Sequence, residues 1–393
     1  MSIEDNIRTF FNMDAMNSFS IFCQGESHIL IDKVCQDYAL DESKKGVSIA
    51  IVCDGHGGER YFRSDIGAKF AAEVSMKQIK TLLKDFGPIA KILEFSDFTQ
   101  VESLTTQREK GNLEKETEVD KAFRQLFKSI IAGWHVAIEE HASNNPLSEQ
   151  EISIVPEKYT STFLDNLEKT YGCTLMAVIA TQKYWFAFHL GDGKCISFDS
   201  TGIWMEPIPW DDKCFLNKTT SLCDADAIDE FRYCYGGRSS RPAAIFLGSD
   251  GIDDSFGETE NLVNFYVQIA KMLGDGKDGR EKALQSLKED LPKLSKIGSK
   301  DDMSVAALYD YAELQASRTY LLQWQINRIE SKMIQAKGQM KALFEKRDRL
   351  DPIKDESQQN TIEYNYVLTD IQRTEQSIAV LDKQLNKLKE DLA

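Results

Sequence analysis

The 393-residue sequence predicts an α+β fold of mainly antiparallel sheets with helices packed outside them, followed by a C-terminal antiparallel helical hairpin. Three observations carry this. Short β-branched and aromatic runs cluster in the sequence instead of alternating one-for-one with helices, which disfavours a parallel βα wind. Segments with apolar residues at helical spacing fall before, between and after those clusters. The last 80 or so residues change character and carry two sustained heptad runs.

In chain order, SFSIFC at 18–23 and VSIAIVC at 47–53 have the composition of strands. From Arg60 to about Leu83 the apolar residues Phe62, Ile66, Phe70, Val74 and Ile79 recur at helical spacing. Further strands fit 173–181, 184–190, 194–199, 244–249 and 304–309, and helices fit 118–142, 258–273 and 280–291. The polar stretch 97–118 is expected to be a surface excursion. Residues 200–243, rich in turn formers and including Gly236-Gly237-Arg238, are expected to form a mobile flap. Beyond residue 310, Leu322, Ile326, Ile329, Met333, Ala336, Met340 and Leu343 step by fours and threes. After Asp351-Pro352, Tyr364, Val367, Ile371, Thr374, Ile378, Leu381, Leu385, Leu388 and Leu392 do the same. The expected organisation is therefore a domain over 1–310 and a coiled-coil hairpin over 311–393, each arm roughly 50–60 Å long at 1.5 Å per residue. A heptad specifies pairing and not the partner, so a buttress and a partner-docking or self-associating arm both fit it.

Composition narrows the function classes. Lys and Arg number 47 against 63 Asp and Glu, for a formal charge of −16. Residues 311–393 carry 13 of each sign, so the whole acidic excess sits in the first 310 residues. An anionic field of that kind disfavours nucleic acid and anionic membrane as partners. No apolar stretch approaches the roughly 20 residues of a bilayer span. The first residues show no signal-peptide pattern. The eight cysteines form no CxxC pair and lie mostly in apolar, strand-like surroundings, so they are expected to be reduced thiols in a cytoplasmic setting.

Four acidic clusters abut apolar strands: Asp54-Gly55-His56-Gly57-Gly58 after the 47–53 run, Gly191-Asp192-Gly193 after 184–190, Ser249-Asp250-Gly251-Ile252-Asp253-Asp254 after 244–248, and Lys300-Asp301-Asp302-Met303-Ser304 before the last strand. A carboxylate at a strand end beside glycine stands exposed on a rigid platform. Several such platforms meeting at one sheet edge would crowd like charges, which is tolerated when cations neutralise them. Hard oxygen donors with few imidazoles and no paired thiols favour Mg2+ or Mn2+ over zinc. Any one Asp-Gly after a strand is ordinarily a turn; the order of all four is far more specific.

Together with Gly172-Cys173-Thr174, these clusters resemble the metal-dependent Ser/Thr protein phosphatases of the type 2C family, over roughly residues 15–310. The resemblance implies an αββα sandwich and hydrolysis of phosphoserine and phosphothreonine on proteins by a water activated at two or three Mn2+ or Mg2+ ions. It implies that Asp54 bridges two metals with the Gly55 carbonyl, Asp250 and Asp301 as further ligands. Asp192 and Asp254 match acids that hold a weaker third ion, and His56 matches the general acid for the leaving oxygen. Asp302, beside Asp301, leaves the ligand assignment ambiguous. Two divalent ions can acidify a shared water and clamp phosphoryl oxygens in line, which requires no phosphoenzyme.

Two positions depart from the family pattern. Gln36 stands for the first of an acidic pair, leaving Asp37 as an outer ligand, and Asp32 occupies the position of a phosphate-binding arginine. Lys33 offers a point charge in its place, without a fork of donors. His28, His135, His141 and His189 read as structural or surface residues, Thr219, Thr220 and Ser221 as part of the polar flap, and the charged run 108–121 as a solvated face. Two function classes follow: a phosphoprotein phosphatase, or a catalytically weak phosphatase-fold scaffold that binds a partner through 311–393.

Overall fold

The computed structural model describes residues 16–113, 115–155, 166–214, 219–276, 278–350 and 358–392. The proline break at 351–352 and residues 215–218 of the expected flap lie outside them. Two compact units divide between Gln315 and Ala316.

The first unit is an αββα sandwich. One sheet orders its strands β1 (Asn17–Cys23), β11 (Met303–Tyr309), β10 (Ala244–Gly248), β7 (Lys194–Phe198) and β8 (Trp204–Met205). The other runs β2 (Tyr38–Lys44), β3 (Val47–Cys53), β5 (Leu175–Thr181), β6 (Tyr184–Leu190), β9 (Arg232–Gly237) and β4 (Thr99–Val101). All the strand pairings are antiparallel.

Both faces of the central strands are covered, so they read as continuous apolar runs with no polar alternation. In β3, Ile49, Ile51 and Cys53 face the helical layer while Ala50 and Val52 face the other sheet. The inter-sheet layer is rich in small side chains (Ala39, Ala50, Ala180, Ala187, Ala306), which lets the two sheets approach. Outside the second sheet, the Ser64–Asp85 helix buries Gly67, Ala68, Ala71, Ala72 and Ser75. The Glu118–Asn144 helix buries larger groups at helical spacing (Phe123, Leu126, Phe127, Ile130, Trp134, Ile138). The Trp134 indole N–H donates to the Gly67 carbonyl at 3.0 Å, tying the two helices together, and Gly133 lets them approach, since a Cβ there would meet the Val74 side chain at 2.8 Å.

Several elements differ from expectation. Residues 232–237 are not flap: β9 pairs with β6 on one side and β4 on the other. Its Tyr-Cys-Tyr core is flanked by the turn-forming Gly236-Gly237, which disguised it. The excursion 97–118 likewise contributes β4 and a short helix, Leu104–Glu109. The helix expected to stop at 291 continues through Pro292 to Ile297. Proline removes one helical hydrogen bond, but Ser295 in the last turn is buried and bonds both the Glu26 N–H and the Asp301 carbonyl, which holds that turn in place.

The second unit is an antiparallel hairpin of the Tyr311–Arg349 helix, from Ala316 onward, and the Gln358–Leu392 helix. Ile326, Ile329 and Met333 cluster with Leu381, Leu385 and Leu388, while Met340 clusters with Val367, Ile371 and Ile378. Ascending numbers on one helix meeting descending numbers on the other is the signature of antiparallel pairing. Cross-helix ion pairs Lys346–Glu363 (2.8 Å) and Lys389–Glu330 (2.9 Å) agree with that register. No helix among the described residues is long and apolar enough to cross a membrane.

Candidate active site

Antiparallel register brings the acidic clusters to one end of the sandwich. The end of β3 lies opposite the start of β2 (Cys53 with Tyr38), and the end of β6 opposite the start of β5 (Leu190 with Leu175). In the other sheet Gly248, at the end of β10, pairs with Val305 near the start of β11 and with Lys194 at the start of β7. Asp37, Asp54, Asp192, Asp250, Asp254, Asp301 and Asp302 therefore line one cavity of about 800 Å³, together with Gly55 and His56.

The connections are tight. Gly191 has a φ of +128°, and a Cβ there would meet the Thr174 side chain at 2.5 Å. A Cβ on Gly251 would meet the Asp302 carbonyl oxygen at 2.0 Å. The Thr174 hydroxyl accepts from the Asp54 N–H at 3.0 Å, and Thr174 N–H donates to the Asp54 carbonyl at 2.8 Å, fixing the backbone of the β3 end.

The electrostatics are those of crowded, buried acids. Burial raises Asp54 well above the usual carboxylate range, and Asp250 and Asp37 add like-charge repulsion. Burial, then repulsion from Asp192, Asp301 and Asp254, lifts Asp250 to about 7. Close approach of the Asp54 and Asp250 carboxyls raises Asp54 further and partly offsets the rise of Asp250. Asp37 is raised by burial despite hydrogen bonds from Ser249 and Ser304, the latter at 2.7 Å. Asp192 and Asp254 are raised by burial, and Asp254 is also repelled by Asp301. An array of oxygen donors that retains protons only through mutual repulsion and burial fits hard divalent cations, whose charge would reverse every one of these shifts.

Asp301 and Asp302 separate cleanly. Asp302 is buried, and its oxygens accept from the Gly25 N–H (2.6 Å), the Gln36 N–H (2.6 Å) and the His28 Nδ1 (2.8 Å). Burial alone would raise it, but these donors outweigh burial and hold its carboxyl below the usual range. Asp301 is exposed and accepts the Asp302 N–H at 2.8 Å. Asp302 thus ties the loop before β2 to the start of β11, with His28 as its partner.

His56 sits on the cavity wall with Nε2 2.7 Å from the Ser221 Oγ and its ring edge-on to Tyr61. Burial lowers it to about 4, so the free ring is neutral at pH 7. Ser221, Thr219 and Thr220 belong to the part of the expected flap that does reach the cavity.

Lys33 is not among the residues lining it: its ammonium donates to the Gly57 carbonyl at 2.9 Å. Asp32 is exposed, with φ +54°. The cations on the cavity wall are Arg60 and Lys213, which sequence reasoning did not single out. Arg60 stacks over the Tyr61 ring, and Lys213 pairs with Glu230 at 2.8 Å. Arg60 follows the glycine box by two residues, a signal that was present; Lys213 lies in a stretch of weak pattern. Buried Arg232 was also missed. It donates to the Gly191 and Pro209 carbonyls and so braces the turn that carries Asp192.

All eight cysteines are free thiols, six of them buried.

Among solved structures the chain is similar to a bacterial serine phosphatase, at 14% identity with a TM-score of 0.42, covering 75% of this chain and 97% of that one. It is similar to the serine/threonine phosphatase Stp1 from Staphylococcus aureus at 13% identity and a TM-score of 0.41, covering 75% and 94%. The catalytic domain of the serine/threonine protein phosphatase PstP in complex with two manganese ions also aligns, at 13% identity and a TM-score of 0.42, covering 75% and 97%. No curated protein sequence matches. The family model described as Protein phosphatase 2C matches residues 24–291, more than half of the chain. With that match spanning the acidic clusters at the ends of β3, β6 and β10, the chain belongs to the protein phosphatase 2C family.

Proposed function

We propose that this chain is a Mn2+- or Mg2+-dependent phosphatase acting on phosphoserine and phosphothreonine in proteins. The observation that carries the reading is the convergence of eight carboxylates, Asp224 included, on one cavity of about 800 Å³. Asp54, the Gly55 carbonyl, Asp250 and Asp301 would hold two ions, with Asp192 and Asp254 available to a third and Asp37 supporting from behind. Bound divalent ions supply an acidified water as nucleophile and charge to clamp the phosphoryl oxygens.

The remaining work falls to the chain itself. Asp302, its carboxylate accepting from the Gly25 and Gln36 N–H groups and from His28, sets the loop geometry. Lys33 does likewise through Gly57, leaving Arg60 and Lys213 as the cations that face an incoming phosphate. His56 is neutral when the cavity is free of phosphate; it serves as an acid once the negative charge of a bound phosphate raises its affinity for a proton. The hairpin over 311–393, distinct from the 1–310 catalytic domain, is the arm for a protein partner or a second copy. The reduced, buried cysteines support a cytoplasmic setting.

A second reading, a scaffold that binds metal without hydrolysis, is favoured by one observation: Lys33 is engaged by Gly57 and exposed Asp32 holds the arginine's position. Titration calorimetry with Mn2+ tests the site common to both. Saturable binding lost in Asp54→Ala and Asp250→Ala is expected; equal binding by wild type and both variants would contradict the assignment.

A further inference from the structure

The connection between β1 and β2 carries a surface that the metal chemistry does not use. Ile29, Leu30 and Ile31 are consecutive and exposed, Leu30 at 74% and Ile31 at 69%, and Val34 is exposed beside them. Three large aliphatic side chains in a row facing water is costly, since each forfeits the free energy of burial. Nor is this a loose loop. Its base is fastened at Gly25, His28 and Gln36 to Asp302, at Ser27 to the Lys300 carbonyl, and at Lys33 to the Gly57 carbonyl. Gly57 and Asp302 both line the acidic cavity, so the apolar tip is held rigidly at its rim.

We infer that this patch is a docking surface for the phosphoprotein substrate, recognising aliphatic or aromatic side chains that flank the phosphoresidue. The inference rests on the phosphatase reading and supplies what that reading lacks. Asp32 stands where the phosphate arginine is expected and Lys33 is engaged by Gly57, which leaves the phosphate to Arg60 and Lys213, and apolar contacts at the rim add affinity to theirs. The acidic excess of this domain disfavours acidic flanking sequence, whereas apolar contact is indifferent to it. Binding energy from such remote contacts holds the reacting group in place. The preferred side chains therefore flank the phosphoresidue, since Lys33 on this same loop reaches the Gly57 carbonyl on the cavity wall.

The test compares wild type with the double variant Leu30→Ser/Ile31→Ser on three substrates with Mn2+. These are p-nitrophenyl phosphate, a phosphothreonine peptide with Leu or Phe on both sides of the phosphoresidue, and the same peptide with Ser in their place. Wild type is expected to favour the apolar peptide by about tenfold in kcat/KM, mostly through KM, the scale of burying one such side chain. The variant should lose that preference while keeping wild-type turnover of p-nitrophenyl phosphate, which touches only the cavity and reports an intact fold. An unchanged preference in the variant, or none in wild type, with p-nitrophenyl phosphate still hydrolysed, overturns the docking surface alone. No wild-type turnover of any substrate overturns the phosphatase reading and this inference with it.

Discussion

Asp250 lifted to about 7, against an ordinary 3.8, has a consequence for stability that can be given a sign. Its pKa is higher folded than unfolded, so between about 4 and 7 the folded state binds a proton the unfolded chain does not. That contribution is present at low pH and is lost as pH rises through 7, at about 1.4 kcal/mol for each pH unit over which the difference holds. Asp54 and Asp37, raised in the same direction, reinforce it. In chelator, thermal unfolding followed by circular dichroism should show a Tm that falls from pH 5.5 to pH 8, and saturating Mn2+ should remove the decline. A Tm that rises over the same range without metal would contradict the crowded-acid account. For His56, the prediction concerns the leaving group. Replacing it by Gln should cost on the order of 10²-fold in kcat on a phosphothreonine peptide, whose alkoxide needs a proton. The cost should be far smaller on p-nitrophenyl phosphate, whose phenolate leaves without one. At this scale the acids were legible because each sits beside glycine at the end of an apolar run. The separation of Asp301 from Asp302 was not, because it depends on donors from Gly25, His28 and Gln36, some 270 residues away in sequence.

Elements place these residues through close backbone approach. Gly251 follows Asp250 into a short helix, and its missing Cβ leaves room for the Asp302 carbonyl. Gly251→Ala should therefore force apart the two segments that carry Asp250 and Asp301. The expected cost is about 2 kcal/mol in denaturant unfolding, a typical value for overpacking against fixed backbone. A loss under about 0.5 kcal/mol would show that the approach is not a constraint. Strands with both faces covered were plain in the sequence, and 184–190 appeared with the bounds that β6 has. β2 was hidden because Tyr38–Lys44 runs into the polar residues Asp41, Glu42 and Ser43. β9 was hidden by its glycines. In both, the pairing partners, β3 and β6, decide the conformation, and local composition does not record them.

For the whole molecule, uneven charge and two-unit organisation go together. The acidic excess belongs to the first 310 residues, where part of it lines the cavity, and the hairpin is balanced. The heptads were legible because coiled-coil pairing is a local, periodic property. Met340, Val367 and Ile371 are buried where the three-and-four spacing puts them. Lys346–Glu363 and Lys389–Glu330, both exposed, agree with the register set by the apolar seam and add well under about 1 kcal/mol each. What the molecule does hinges on whether its converging acids turn over a phosphoester. The most direct measurement is hydrolysis of a phosphothreonine peptide and of p-nitrophenyl phosphate by wild type and Asp54→Ala, each with Mn2+ and with chelator. Turnover is expected only for wild type with metal, falling by at least about 10³-fold in Asp54→Ala as the cation site is lost. Equal turnover by the variant, or turnover indifferent to chelator, would contradict a metal-dependent phosphatase built on Asp54.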